Sequence, residues 1–107
     1  MTRLRFRLPD GSERAIDATP GVSVMHSALD HGIPGIVAEC GGAAACGTCH
    51  VHVDATTLAR LPVPESNEEA MLDFTAEPRA PDSRLSCQLI VGDALEGALF
   101  VVPQTQL

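Results

Sequence analysis

Apolar and polar residues alternate at the start of the chain. The stretch "RLRFRLP" (3–9) sets three arginines against Leu4, Phe6 and Leu8. A period of two is typical of a strand with one buried face. Asp10 and Gly11 follow as a tight turn signal before "SERAID" (12–17), so the pattern predicts an antiparallel hairpin.

A helical period comes next, in "GVSVMHSALDHG" (21–32). Val22, Met25 and Leu29 recur at helical spacing with Ala28 beside them, which predicts the buried face of a helix. Gly32 suits the left-handed residue that ends such a helix. The predicted polar face carries His26, Ser27 and Asp30.

The rest of the chain alternates short predicted strands with one short helix. "HVHV" (50–53) and "ALFVV" (98–102) read as strands, and "RLSCQLIV" (84–91) reads as a strand with Cys87 deep within it. "LPVPESNEEAMLDF" (61–74) passes from a proline-marked loop into a helix capped by Ser66 or Asn67. The order predicts an α+β fold, a small mixed sheet packed on one main helix.

Length and composition narrow the class of protein. The 107 residues, 45% of them hydrophobic, predict a single domain over 1–107. Fourteen acidic residues against seven arginines give a formal charge of -7, which disfavours nucleic acid and favours a partner with a basic face. No run is long enough for a membrane span, and the early strand leaves no room for a signal peptide, so we expect a cytoplasmic protein.

Three cysteines stand within ten positions in "CGGAAACGTC" (40–49), and a fourth lies far along the chain. A disulfide framework is unnecessary in a reducing compartment. A thioredoxin-like pair would open a helix, whereas a valine-rich strand follows Cys49. A structural zinc site usually pairs two short Cys/His hooks, and only one CxxC is present here.

An iron–sulfur cluster suits this spacing better than those three alternatives. A two-iron cluster needs two thiolates at each end, so a loop must curl around it and a distant element must close it. The residues between the cysteines are small, which lets backbone N–H groups approach the sulfurs without β-carbons in the way. Those that permit this approach include Gly41, Gly42, Ala45 and Gly47.

The spacing C-x5-C-x2-C, with a fourth cysteine 38 positions on, resembles the [2Fe–2S] ferredoxins of the adrenodoxin and putidaredoxin type. "CGGAAACGTCHVHV" and "RLSCQLIV" look most like the bacterial putidaredoxin branch. The resemblance implies a β-grasp fold and a [2Fe–2S] cofactor. It also implies that Cys40 and Cys46 bind one iron, and Cys49 and Cys87 the other.

The same resemblance implies an electron carrier and not an enzyme. Such proteins take electrons from an FAD-containing, NAD(P)H-dependent ferredoxin reductase and deliver them to an oxygenase, commonly a haem-thiolate (cytochrome) monooxygenase, and we expect a monomer. The helix before the last cysteine matches the family's acidic docking surface, and a loop carboxylate before the first cysteine matches a further partner contact. The expected docking residues are Glu39, Glu65, Glu68, Glu69 and Asp73.

His50 matches a family histidine that braces the cluster loop against the segment near Ser83 and Arg84. We expect Glu68 and Arg84 to pair nearby, and His26 and His31 to be solvated. The chain ends in Leu107, where this branch can carry an aromatic residue that helps partner binding. Three alternatives stay open: a ferredoxin for iron–sulfur assembly, one for a Rieske-type oxygenase, and a zinc-stabilised interaction module.

Overall fold

A computed structural model describes residues 1–33, 50–64, 66–72 and 80–103 of the chain. In these residues the elements follow in chain order: strands β1 (Thr2–Arg7) and β2 (Glu13–Ala18), helix α1 (Val24–Asp30), strand β3 (His50–Val53), helices α2 (Ala55–Leu58) and α3 (Ser66–Leu72), and strands β4 (Ser83–Leu85) and β5 (Ala98–Val101). Two 3₁₀ turns lie between β4 and β5, at Ser86–Gln88 and Asp93–Leu95.

The described strands form one mixed sheet in the order β2-β1-β5-β3-β4. The predicted hairpin is confirmed, because β1 and β2 pair antiparallel with Leu4 opposite Ile16. Gly11 has a φ of 90° in the turn, a conformation that glycine adopts without strain. β5 lies between β1, to which it is parallel, and β3, to which it is antiparallel. This arrangement with few helices is the predicted α+β, β-grasp fold.

Helix α1 packs against the sheet through part of the predicted face. Ser23 caps it, since its side chain accepts a hydrogen bond from the His26 N–H. Met25 and Ala28 are buried as predicted, but Val22 and Leu29 are 37% and 43% exposed, and Ser27 is buried. Val22 lies before the helix, which begins at Val24, and the buried residues of the helix are Val24, Met25, Ser27 and Ala28.

Gly32 ends the helix in the predicted manner. Its φ is 68°, and its N–H donates to the Leu29 carbonyl, while the Ile33 N–H donates to that of Ala28. His26 and His31 are exposed, as expected for solvated side chains.

Two other local predictions are wrong. α3 begins at Ser66, so Ser66 and Asn67 lie inside the helix and neither precedes it as a cap. Cys87 does not lie in a strand, because β4 ends at Leu85 and the chain turns into a 3₁₀ helix over Ser86–Gln88. The residues predicted to share its buried face are nevertheless buried: Leu85, Leu89 and Val91.

The described helices are all short. None of them combines the length and the apolar composition that crossing a bilayer requires.

Candidate metal centre

Cys87 sits where the sheet turns back toward helix α1. It is 8% exposed and belongs to the hydrophobic core cluster. The chain just beyond it is anchored to the start of α1, since the Val24 N–H donates to the Leu89 carbonyl at 2.8 Å. The 3₁₀ turn therefore holds the thiol at a fixed place on the molecule.

The side-chain amide of Gln88 contacts this thiol. Gln88 Nε2 lies 3.4 Å from Cys87 Sγ and donates a hydrogen bond to it. Donated N–H groups stabilise a thiolate that binds metal and contribute to the potential of an iron–sulfur centre. The chemistry around Cys87 thus fits a cysteine ligand of a [2Fe–2S] cluster.

His50 links β3 to β4, next to Cys87. The register pairs His50 with Leu85, two residues before Cys87. His50 Nε2 lies 2.8 Å from Ser83 Oγ, and the His50 side chain is fully buried. Ser83 Oγ also accepts the Ala80 N–H at 2.8 Å. The expected contact between His50 and the segment before the last cysteine is present.

Arg84 and Glu68 form the predicted pair, and it is buried. Arg84 Nε donates to Glu68 Oε2 at 2.7 Å and the Arg84 Nη2 group to Oε1 at 3.1 Å. Glu68 Oε2 also accepts the Leu85 N–H, and another Arg84 guanidinium N–H bonds the Pro62 carbonyl. One ion pair thus fastens α3, β4 and the proline loop together.

This pairing corrects the prediction that Glu68 belongs to a docking surface. Its side chain is only 2% exposed and is engaged with Arg84, so it cannot meet a partner protein. Glu69, one residue on, is exposed. Of the two carboxylates of helix α3, Glu69 is therefore exposed and Glu68 is used internally.

The other predicted site residues lie outside the described residues. They are three cluster cysteines, four small residues of the loop between them, and three docking carboxylates: Cys40, Cys46, Cys49, Gly41, Gly42, Ala45, Gly47, Glu39, Glu65 and Asp73.

Two polar contacts near the centre were not anticipated from the sequence. Gln88 is one, although its position directly after Cys87 is a signal that could have found it. The other joins His52 Nδ1 to Asp82 Oδ1 at 2.7 Å and fixes the turn before β4 to β3. No sequence pattern singles out this second contact.

Asp54 also has an unanticipated role, at the junction of β3 and α2. Its carboxylate accepts the Leu99 N–H at 2.9 Å and the Thr57 N–H at 3.1 Å, which caps α2. Burial alone would raise the pKa of Asp54. The hydrogen bonds from Leu99 and Thr57, together with the charge of Arg5, outweigh burial and lower that pKa below 3.8.

The chain is similar to known proteins over most of its length. The family model for the 2Fe–2S iron–sulfur cluster binding domain (Fer2) matches residues 8–92. Rhodocoxin from Rhodococcus erythropolis is 44% identical over 107 residues, covering 100% of both chains. Putidaredoxin from Pseudomonas putida is 38% identical over 106 residues, covering 99% of both.

Solved structures agree with these sequence relatives. A ferredoxin from Rhodopseudomonas palustris HaA2 superposes with a TM-score of 0.95 at 48% identity, covering 98% of this chain and 99% of that one. Putidaredoxin in a covalent complex with putidaredoxin reductase superposes with a TM-score of 0.92 at 38% identity, covering 95% of this chain and 98% of that one. An ISC-like [2Fe–2S] ferredoxin from Pseudomonas putida JCM 20004 superposes with a TM-score of 0.82 at 30% identity, covering 100% of this chain and 96% of that one.

Proposed function

This chain belongs to the family of 2Fe–2S iron–sulfur cluster binding domains, and we propose that it serves a monooxygenase system. As a putidaredoxin-like ferredoxin it carries a [2Fe–2S] cluster and transports electrons, and it is not an enzyme. In the proposal, an FAD-containing, NAD(P)H-dependent ferredoxin reductase supplies the electrons. A haem-thiolate (cytochrome) monooxygenase receives them.

One observation carries this proposal. The similarity to putidaredoxin extends over 99% of both chains, and putidaredoxin itself forms a complex with its reductase. A reductase is therefore the partner class that the likeness supports most directly. The monooxygenase is proposed as the electron acceptor because ferredoxins of this family commonly deliver electrons to such an enzyme.

We assign the cluster ligands as Cys40 and Cys46 on one iron and Cys49 and Cys87 on the other. The position of Cys87 supports the second pair, since β3 begins at His50, directly after Cys49 in sequence, and His50 pairs with Leu85. When bound, the cluster accepts and releases a single electron. Around it, His50 and Arg84 hold β4 in place, so that the Cys87 thiol does not move as the charge changes.

We assign docking to the predicted docking carboxylates other than Glu68. Glu69 is exposed, and Glu39, Glu65 and Asp73 are included on sequence grounds. With a formal charge of -7, the chain attracts a basic face of a partner protein. Charges at the edge of such an interface mainly set the association rate and the orientation of the two proteins. The proposed working unit is a monomeric single domain, residues 1–107, in the bacterial cytoplasm.

The runner-up is a ferredoxin for iron–sulfur assembly. The ISC-like structure has the same fold, so the fold does not separate the two functions. Its 30% identity is below the 38% shared with putidaredoxin, and its TM-score of 0.82 is below 0.92 for putidaredoxin in the reductase complex. The monooxygenase system is therefore the better supported function.

A reconstituted electron-transfer chain tests the proposal. NADH, putidaredoxin reductase, the purified holo-protein and a bacterial cytochrome monooxygenase are combined, and reduction of both carriers is followed by stopped-flow absorption. We expect reduction of the monooxygenase only when this protein is present. Reduction by the reductase with no onward transfer to any monooxygenase tested, together with activity in cluster assembly, would favour the runner-up.

Docking is tested with charge variants in the same assay. Changing Glu69 and Asp73 to amides should slow reduction by the reductase, and the difference should shrink as salt rises to roughly 0.15 M, where screening acts beyond about 8 Å. The control changes Glu13 and Asp17, on the hairpin, to amides and removes the same charge. Equal slowing in both double variants would mean that only net charge matters.

A further inference from the structure

Gln88 contacts Cys87 and is itself partly exposed to solvent. Its Nε2 donates to Cys87 Sγ at 3.4 Å, while the residue itself is half-buried. The same side chain lines a surface groove of about 210 Å³, together with Arg60, Pro62 and Ile90. Ile90 is 59% exposed, so solvent reaches the groove, whereas Cys87 is only 8% exposed.

The Gln88 amide therefore supplies a hydrogen-bond donor to this sulfur from the protein itself. The backbone that carries it is held by the 3₁₀ turn, whose end is fixed by the Leu89 N–H bonded to the Ser86 carbonyl and by the buried side chain of Leu89. A protein donor fixed in this way needs no reorganisation when the charge on the sulfur changes.

We propose that Gln88 raises the reduction potential of the cluster through Cys87. Reduction adds one negative charge, part of which resides on the ligand sulfurs, and an N–H donor stabilises a more negative sulfur more strongly. The hydrogen bond thus favours the reduced state over the oxidised state. Gln88 is a positioning residue, because it acts on the cluster through its ligand.

The role of Gln88 rests on the proposed ligation by Cys87. It makes the equilibrium between the oxidised and the reduced cluster depend on a side chain that does not itself bind iron. It also explains why a glutamine, and not an apolar residue, occupies the half-buried position beside the groove.

The test is Gln88→Met, which keeps the size of the side chain and removes the N–H donor. Redox titration of the holo-protein should show a lower potential. We expect the ratio of reduced to oxidised protein to fall about fivefold at a fixed applied potential, which is a shift of about 40 mV at 59 mV per tenfold change for one electron. Iron content should remain at the wild-type level, and the iron–cysteine stretching bands in the resonance Raman spectrum should shift.

Two controls separate the hydrogen bond from the groove. Ile90→Ala changes an exposed neighbour in the same groove and should leave the potential unchanged. Gln88→Glu replaces the amide donor by a carboxylate near the sulfur and should lower the potential more than Gln88→Met. A shift of equal size in Ile90→Ala would assign the effect to solvation of the groove and overturn the proposal.

A measurement on the wild-type protein keeps the proposal testable if the variants lose their cluster. The chain has three glutamines, Gln88, Gln104 and Gln106. With ¹⁵N in the glutamine side chains, pulsed EPR of the reduced protein should show a nitrogen coupled to the cluster. The coupling should persist when Gln104 and Gln106 are changed to Glu, and its absence would overturn the proposal.

The outcomes also distinguish this inference from the proposed function. An unchanged potential in Gln88→Met with full iron content removes the role of Gln88 and leaves the electron carrier intact. A full cluster in Cys87→Ala would instead remove the proposed ligand itself.

Discussion

Arginine pairs with carboxylates at both ends of the sheet, and the two ends use the pairs differently. On the hairpin, Arg3 bonds Asp17 at 3.0 Å with both side chains more than half exposed. At the opposite end, Arg84 bonds Glu68 at 2.7 Å with exposures of 5% and 2%. The chemical groups are the same, but water competes for the first pair and is excluded from the second.

The difference shows what each end contributes. An exposed pair gains little, because solvent screens it and two long side chains lose freedom. A buried pair is costly to break, because the remaining charge is left without water or a partner. The exposed pairs therefore add little to the stability of the hairpin, which comes from its buried apolar face. The Glu68–Arg84 pair, in contrast, determines the position of the chain that leads to Cys87.

The largest expected effect comes from removing the ligand at the buried end. Cys87→Ala should prevent stable assembly of the [2Fe–2S] cluster, since a thiolate bond to iron has no substitute in an alanine. Iron analysis and the visible spectrum measure this loss. Ser86→Ala, a buried neighbour in the same turn, is the matched control and should still bind two irons. A native spectrum in Cys87→Ala would place the centre elsewhere.

Breaking the buried pair is the next largest effect. Arg84→Ala should cost about 3–5 kcal/mol, because Glu68 is then buried without its partner. The melting temperature of the holo-protein should fall by more than about 10 °C, measured by circular dichroism. The matched change on the hairpin, Arg3→Ala, should cost about 0–1 kcal/mol. Similar losses for the two variants would contradict the contrast between the ends.

Removing His50 tests the second link at the buried end. His50→Ala should cost about 1–3 kcal/mol, because Ser83 loses a buried hydrogen-bond partner. We expect faster cluster loss on heating with the ligands intact. Combining it with Ser83→Ala should cost less than the sum of the single changes. Strict additivity, or unchanged kinetics of cluster loss, would show that the contact does not brace the centre.

The smallest effect concerns Asp54, which lies between the two ends. Asp54→Ala should cost about 1 kcal/mol at pH 7 through loss of the α2 cap. The pKa of Asp54 is lower in the folded protein than in the unfolded chain. Its ionised form therefore stabilises the protein at pH values above the unfolded pKa of about 3.9. That contribution is lost as pH falls through the folded pKa. Melting curves from pH 7 to pH 3 should show the gap from wild type narrowing, whereas a constant gap would contradict this role.

The sequence predicts the elements whose burial follows a simple period. The hairpin alternation of Leu4 and Phe6, the strand at His50–Val53 and the fold class are all confirmed. The prediction that Val22 and Leu29 lie on the buried face of α1 is wrong, because Val22 precedes the helix and Leu29, in its last turn, is 43% exposed.

The burial of Glu68 could have been predicted, because it stands three and four residues before Met71 and Leu72 and so shares their face. Its charge suggested an exposed position, although its pairing with Arg84, 16 residues away, was expected. The long-range contact between His52 and Asp82 leaves no local signal. The assignment of the three cysteines before His50 remains a prediction.

The central place of β5 has a consequence for how the protein is made. β5 is the last described strand in sequence, yet it lies between the hairpin and the β3–β4 pair. Until residues 98–101 have left the ribosome, the two halves of the sheet share no edge. Contacts so distant along the chain form late in folding. Cluster loading should therefore wait for synthesis of residues 98–101, and a nascent chain stopped at residue 97 should fail to take up iron.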